Sequence, residues 1–237
     1  MPLKMANDLF RFQQFEINQA GCGMRISEDA VCFGAWCELN GCNKVIDIGA
    51  GTGLLSLMIA QRFPEAQIDA IELDEIAAKR CQENFQASPF TKRLSCSQGD
   101  ALNAKKQKYD LVICNPPFFH EGSRTEDAQR DLARNSEWLT FDKLASAVNN
   151  LFQANSAQFI VPELRHEELS SLMRAEGYHL KRHSRIFAKA NKRAHRSLLH
   201  FTKEPKALIE TEILMRSEDN NYTASYNKLC EGFYLRR

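Results

Sequence analysis

Lys44-Val45-Ile46-Asp47-Ile48-Gly49-Ala50-Gly51-Thr52-Gly53-Leu54-Leu55 is the stretch on which the fold reading turns. It opens on β-forming residues, closes on the start of an apolar helical pattern, and places glycine at alternate positions 49, 51 and 53. Glycines in such a turn permit backbone conformations, and a close approach by a bulky ligand, that a Cβ would obstruct. The spacing Gly-x-Gly-x-Gly differs from the Gly-x-Gly-x-x-Gly of dinucleotide folds, whose third glycine belongs to a pyrophosphate site at a helix N-terminus.

Outward from this turn the chain alternates. Leu54 to Phe63 predicts a helix, Ile68 to Glu72 a strand, Asp74 to Gln86 a helix, and Leu94 to Cys96 and Leu111 to Ile113 strands. Phe141 to Phe152 reads as a helix, Phe159 to Val161 as a strand ended by Pro162, and strands are expected near Tyr178 to Phe187 and Ser197 to Phe201. Ahead of the turn, Phe10, Phe12, Phe15 and Ile17 suggest an extended piece, and Ser27 is the expected N-cap of a short helix to Leu39. Strand–helix alternation with short connections argues for an α/β fold, a parallel sheet with helices on both faces. Right-handed crossovers then put the functional loops at the carboxyl ends of the strands. One domain over residues 1–237 is expected, with an N-terminal extension to about residue 40 and a short C-terminal one after about 205.

The bulk composition excludes several classes. With 237 residues, 43% apolar and 26% charged, the chain can bury an ordinary core. A net charge of +1 rules out a uniformly polybasic binder. The first twenty residues include Asn7, Asp8, Arg11 and Glu16 without an apolar run, so no signal peptide is expected. No apolar run reaches the roughly 18 residues of a membrane span. The eight cysteines form no Cys-x-x-Cys pair, and Cys32, Cys37 and Cys42 have no nearby histidine. They read as structural thiols in a reducing cytosol, with no metal expected. A cytoplasmic monomer is the expectation.

Three carboxylates complete the reading of the glycine loop. Asp47 directly precedes it, Glu72 ends the next strand about 20 residues on, at the offset of a ribose-binding carboxylate, and Asp100 follows a third strand. S-adenosyl-L-methionine carries no phosphate, which fits the altered glycine spacing. Asp47 then faces the ligand's ammonium, Glu72 its ribose and Asp100 its adenine amino group. Asp74 more naturally caps the following helix.

After the buried run Leu111 to Cys114 comes Asn115-Pro116-Pro117-Phe118. An exocyclic amine on an aromatic ring is a poor nucleophile because its lone pair is delocalised. Two neutral acceptors, the Asn115 side-chain oxygen and the Pro116 carbonyl, can draw on its N–H bonds and favour pyramidalisation without a charged base. Pro117 stiffens the turn, and Phe118 offers a stacking face worth about 1–3 kcal/mol. The implied chemistry is methyl transfer to the nitrogen of a flat, conjugated acceptor.

The two motifs resemble class I S-adenosylmethionine methyltransferases of the amino-methylating branch. Phe15 to Gln19, Met24-Arg25-Ile26, Gly34-Ala35-Trp36, Arg130 to Arg134, Tyr222-Thr223, Tyr226 and Phe233-Tyr234-Leu235 are similar, nearly end to end, to bacterial tRNA1(Val) adenine-37 N6-methyltransferases. That resemblance implies a Rossmann-like sheet with an antiparallel C-terminal strand, a transfer RNA partner, donor binding by Gly49, Gly51, Gly53, Glu72 and Asp100, and acceptor binding by Asn115 to Phe118. Phe119-His120 is similar to ribosomal RNA guanine-N2 methyltransferases, and protein glutamine-N5 methyltransferases meet the same conjugated-nitrogen problem. Between Lys181 and Arg196 the chain carries Arg182, Arg185, Lys189, Lys192 and Arg193 and no acidic residue. This stretch favours a nucleic-acid acceptor, because phosphates are neutralised by such charge. A second candidate is the loop of Arg124, Arg130 and Arg134.

Overall fold

A computed structural model describes residues 8–116 and 139–235. Its contacts divide the chain into two compact units, Met1–Ala101 with Leu229–Arg237, and Leu102–Lys228.

The first unit opens with an antiparallel hairpin, β1 (Leu9–Arg11) and β2 (Glu16–Asn18), where the sequence suggested only an extended piece. Helix α1 (Glu28–Trp36) follows, and the Ser27 hydroxyl accepts from the Ala30 N–H, as its N-cap position requires. Strands β3 (Lys44–Ile48), β4 (Gln67–Glu72) and β5 (Leu94–Gln98) pair in parallel, in that order. Their crossovers are α2 (Leu54–Arg62) and α3 (Glu75–Ala87). Phe33, Trp36, Ile48, Leu57, Met58 and Ile59 are fully buried and form the heart of this unit. Each isolated element would leave such faces in water, so burial is the main term holding them together. Arg62 donates to the carbonyls of Gly34, Ala35 and Cys37, and Arg93 to those of Ala60, Phe63 and Ala66. Two helix C-termini thereby gain partners for carbonyls that have none within the helix. The chain's last segment returns to this unit: the Gln13 N–H donates to the Phe233 carbonyl at 2.9 Å, and Gln61 Nε2 to that of Gly232 at 2.7 Å.

In the second unit, β6 (Leu111–Cys114) pairs in parallel with β7 (Ser156–Pro162). All four residues of β6 are buried, as expected of a parallel strand covered on both faces. Strand β9 (Arg196–Thr202) runs antiparallel between β7 and β8 (His179–Lys189), and β10 (Ile209–Arg216) pairs in parallel with β8 at the edge. The mostly parallel α/β arrangement with an antiparallel strand near the C-terminus is therefore present. Helices α4 (Phe141–Asn150), α5 (His166–Ala175) and α6 (Ala224–Leu229) are the other described α-helices. Phe159, Phe201 and Tyr178 are buried, and the Tyr178 hydroxyl donates to the Ala154 carbonyl at 2.6 Å. None of the eight cysteines forms a disulfide, and burial pushes the pKa of Cys32 and Cys81 far up, which makes them inert. Among the described residues no helix is long and apolar enough to cross a membrane.

Candidate active site

Strand β3 delivers Asp47 into the interior and then breaks into the glycine turn. Gly49, Gly51 and Gly53 all adopt positive φ, at 69°, 56° and 85°, the left-handed region that side chains resist. The reasons differ by position. A Cβ on Gly53 would lie 2.5 Å from the Phe85 ring and 2.9 Å from Cys81 Sγ, so this glycine lets α2 start against α3. A Cβ on Gly49 or Gly51 would meet nothing within 4 Å. Packing does not explain those two; their left-handed φ does, and it leaves the backbone bare on that side.

The loop is fastened from behind. The N–H of Gly49 donates to the Ile71 carbonyl at 2.9 Å, and that of Gly51 to Glu72 Oε2 at 2.7 Å. Glu72 Oε1 accepts from the Asp74 N–H at 2.9 Å. Glu72 thus ties the turn after β3 to the turn after β4, a role its sequence position did not reveal, and each oxygen retains a second lone pair. Asp74 caps α3 through the Ala77 N–H, as expected. Asp100 is partly buried and follows Gly99, whose N–H donates to the Glu72 carbonyl at 2.8 Å. Asp47 near the end of β3, the three glycines after it, Glu72 at the end of β4 and Asp100 after β5 therefore lie at the carboxyl ends of three parallel strands, the edge where open α/β sheets bind ligands.

Asp47 is fully buried. Its Oδ2 accepts from Ser56 Oγ at 2.7 Å, while Oδ1 has no hydrogen-bond partner. Burial pushes the carboxyl up to about 7, against the lowering effect of the Ser56 hydrogen bond, with a small upward contribution from the charge of Glu72. A buried acceptor left without a donor beside an open glycine surface is the chemistry an ammonium-bearing ligand would complete.

Two supporting residues were missed in the sequence. Ser56 holds Asp47 from the first turn of α2. Asn84 is buried on α3, and its amide donates to the carbonyls of Thr52 at 2.9 Å and Asn18 at 3.1 Å while its oxygen accepts from the Asn18 N–H. The available signal was an amide on the helix face that also carries Ala77, Cys81 and Phe85.

In the second unit, Asn115 follows β6 directly and is partly buried, and Pro116 is buried. Pro117, Phe118, His120 and the loop of Arg124, Arg130 and Arg134 lie outside the described residues. The basic stretch is only partly what its composition suggested. Lys181, Arg182, Arg185 and Lys189 lie on β8 itself, Lys192 and Arg193 in the following turn, and Arg196 at the start of β9. Strand β10 sets Glu210 opposite His183 and Glu212 opposite Arg185, and Arg185 bonds Glu212 at 3.0 Å. Burial and the neighbouring His166 hold the His183 imidazole below its usual pKa, so it adds little charge. Positive charge is therefore concentrated toward the turn, where Lys192 and Arg193 are exposed.

Comparison with known proteins agrees with this architecture. A family model, the methyltransferase small domain, matches residues 38–144. A crystal structure described as a predicted O-methyltransferase from Agrobacterium tumefaciens superposes with a TM-score of 0.66 at 15% identity, covering 88% of this chain and 98% of that one, a likeness of fold. A tRNA1(Val) (adenine(37)-N6)-methyltransferase of Vibrio vulnificus is 38% identical over 229 residues, 96% of this chain and 95% of that one. The enzyme of the same name from Haemophilus influenzae is 36% identical over 231 residues, 96% of this chain and 98% of its own. Identity at this level over nearly the full length of both chains makes this protein a member of the tRNA1(Val) (adenine(37)-N6)-methyltransferase family.

Proposed function

We propose that this enzyme transfers a methyl group from S-adenosyl-L-methionine to the exocyclic N6 of adenine 37 in tRNA1(Val), the reaction for which its relatives are named. The observation that carries the donor assignment is the buried, half-satisfied Asp47 just before Gly49 and Gly51, whose Cβ positions open onto empty space. The donor supplies an electrophilic methyl on a sulfonium. Asp47 pairs with its ammonium, Glu72 accepts from its ribose hydroxyls, and Asp100 accepts from its adenine amino group. Gly49 and Gly51 keep the backbone bare where the adenosyl group lies. Those residues belong to the first unit and Asn115 to the second, so the reading requires both units to act as one methyltransferase domain.

On the acceptor side, the Asn115 oxygen and the Pro116 carbonyl take the two N–H bonds of the adenine amine. The nitrogen lone pair is thereby released from the ring toward the methyl. A neutral amide serves here without placing a second negative charge against the donor's cation. Phe118 stacks the base, which must leave the anticodon-loop stack to react; unstacking a loop base costs less than opening a duplex. Lys189, Lys192, Arg193 and Arg196 contact phosphates, with Arg182 and Arg185 behind them. A transfer RNA substrate also fits a cytoplasmic location.

Labelled donor offered with total transfer RNA, ribosomal RNA or cell protein tests the reading. Label is expected in transfer RNA, and label in protein alone rejects it. Asn115→Ala should nearly abolish transfer while leaving donor affinity intact. A loss of donor affinity instead means that Asn115 serves the donor.

A further inference from the structure

We propose that Glu163, His166 and His183 form a binding site for a divalent transition-metal ion of the zinc type. The sequence raised no such expectation, because the three residues come from different elements. Glu163 directly follows β7, His166 is the first residue of α5, and His183 lies on β8. One donor atom from each lies within 4.8 Å of the other two. The two imidazole rings stack with centroids 4.8 Å apart.

Hydrogen bonding decides which ring nitrogens can bind a metal. His166 Nδ1 lies 2.7 Å from the Glu163 backbone carbonyl. A carbonyl only accepts, so Nδ1 carries a proton; in the neutral imidazole Nε2, which lies 3.3 Å from Glu167 Oε1, then holds the lone pair. The Ser197 hydroxyl donates to Glu163 Oε2, so Ser197 Oγ accepts the proton of His183 Nε2 at 2.8 Å. His183 is thereby left with its lone pair on Nδ1. Both imidazoles are held from behind by an N–H donated to oxygen, the arrangement that fixes the tautomer and ring orientation of metal-ligating histidines. Ser197 holds the carboxylate and one imidazole at once.

Glu210 adds a further oxygen, 3.7 Å from His183 Nδ1. Two nitrogens and a carboxylate suit zinc-type ions, whereas magnesium and calcium take all-oxygen sets. Glu163, His166 and His183 all line a cavity of about 450 Å³. An ion held by three protein ligands keeps a further position, which water or a small anion can take from that cavity. The ion would join the end of β7, the start of α5 and the middle of β8.

The test uses the full chain stripped with a chelator and titrated with ZnCl₂ in a calorimeter, with MgCl₂ as a separate arm. Cysteines also take zinc, so CoCl₂ is added in parallel to look for thiolate-to-cobalt charge transfer in the near ultraviolet. The expected result is one zinc per chain, no magnesium binding, and cobalt spectra without the thiolate band. His166→Gln and Glu163→Gln should each remove the zinc site. Ser197→Ala, which touches no ion, should weaken it by about ten- to a hundredfold. Far-ultraviolet circular dichroism and melting in chelator establish that each variant is folded, and Glu163 and His166 are both only partly buried. Zinc uptake unchanged in folded His166→Gln and Glu163→Gln, a thiolate band, or no uptake by the wild type overturns the proposal.

Discussion

Replacing Asp47 with Asn should stabilise the donor-free protein in alkali and not in acid. The carboxyl is fully buried and held at about 7, against an ordinary value of 3.8. That difference corresponds to about 4 kcal/mol of opposition to folding once the group is ionised in both states. For an acid whose folded pKa is raised, the contribution is most favourable below 3.8, falls as pH rises from there to about 7, and is flat above. Only the unfolded chain releases its proton in that window. An amide has no such proton. It still accepts from Ser56, and its N–H₂ group, placed where Oδ1 has no partner, costs about 1–3 kcal/mol at every pH. The constant cost cancels in a comparison of two pH values. Between about pH 5 and about pH 8 the wild type should therefore lose about 3 kcal/mol relative to Asp47→Asn. Urea unfolding of both proteins without donor, extrapolated linearly to water, measures the gap. A gap of the same size at both pH values refutes the assignment of a proton to this buried carboxyl. Because an approaching ammonium favours the ionised form, wild-type donor affinity should also rise with pH up to about 7.

Two glycine substitutions should fail for different reasons. Gly53→Ala sets a methyl group against Phe85 and should cost about 3 kcal/mol or more in urea unfolding, whereas Gly51→Ala, facing open space, should cost only the roughly 1–2 kcal/mol of its left-handed φ yet lose donor binding in calorimetry. Glu72→Gln gives either the Gly51 or the Asp74 N–H a donor to face, and donor affinity should fall about tenfold or more; unchanged affinity would remove Glu72 from the donor site. Arg193→Ala with Arg196→Ala should weaken transfer RNA binding and lower the slope of log affinity against log salt by about 0.7 for each phosphate no longer neutralised, and an unaltered slope would take the hairpin turn out of the RNA interface.

Elements with strong local signals were legible from the chain alone. Ser27 and Asp74 cap helices because their side chains can reach the N–H groups three residues on, and that reach is written in the sequence. Buried strands β6 and β7 read as apolar runs for the same local reason. Strand β10 went unseen because Glu210, Thr211 and Glu212 look like solvated loop residues; they form a strand because β8 offers His183, Ser184 and Arg185 in register. Helix α5 was overlooked because its buried face reduces to Leu169, Ser170 and Met173 among charged neighbours. In the candidate site, the glycines and carboxylates were visible as a motif. The fastening of Gly51 by Glu72 and the grip of Asn84 on Thr52 join residues 21 and 32 positions apart, which spacing alone does not encode.

Methyl transfer to adenine 37 is tested most directly by mass-spectrometric mapping of the nucleoside at that position in tRNA1(Val). The source is a strain lacking the gene, complemented with either the wild type or Asn115→Ala. N6-methyladenosine is expected at position 37 with the wild-type gene and unmodified adenosine with the variant. Unmodified adenosine with both genes, or full methylation with the variant, would contradict it.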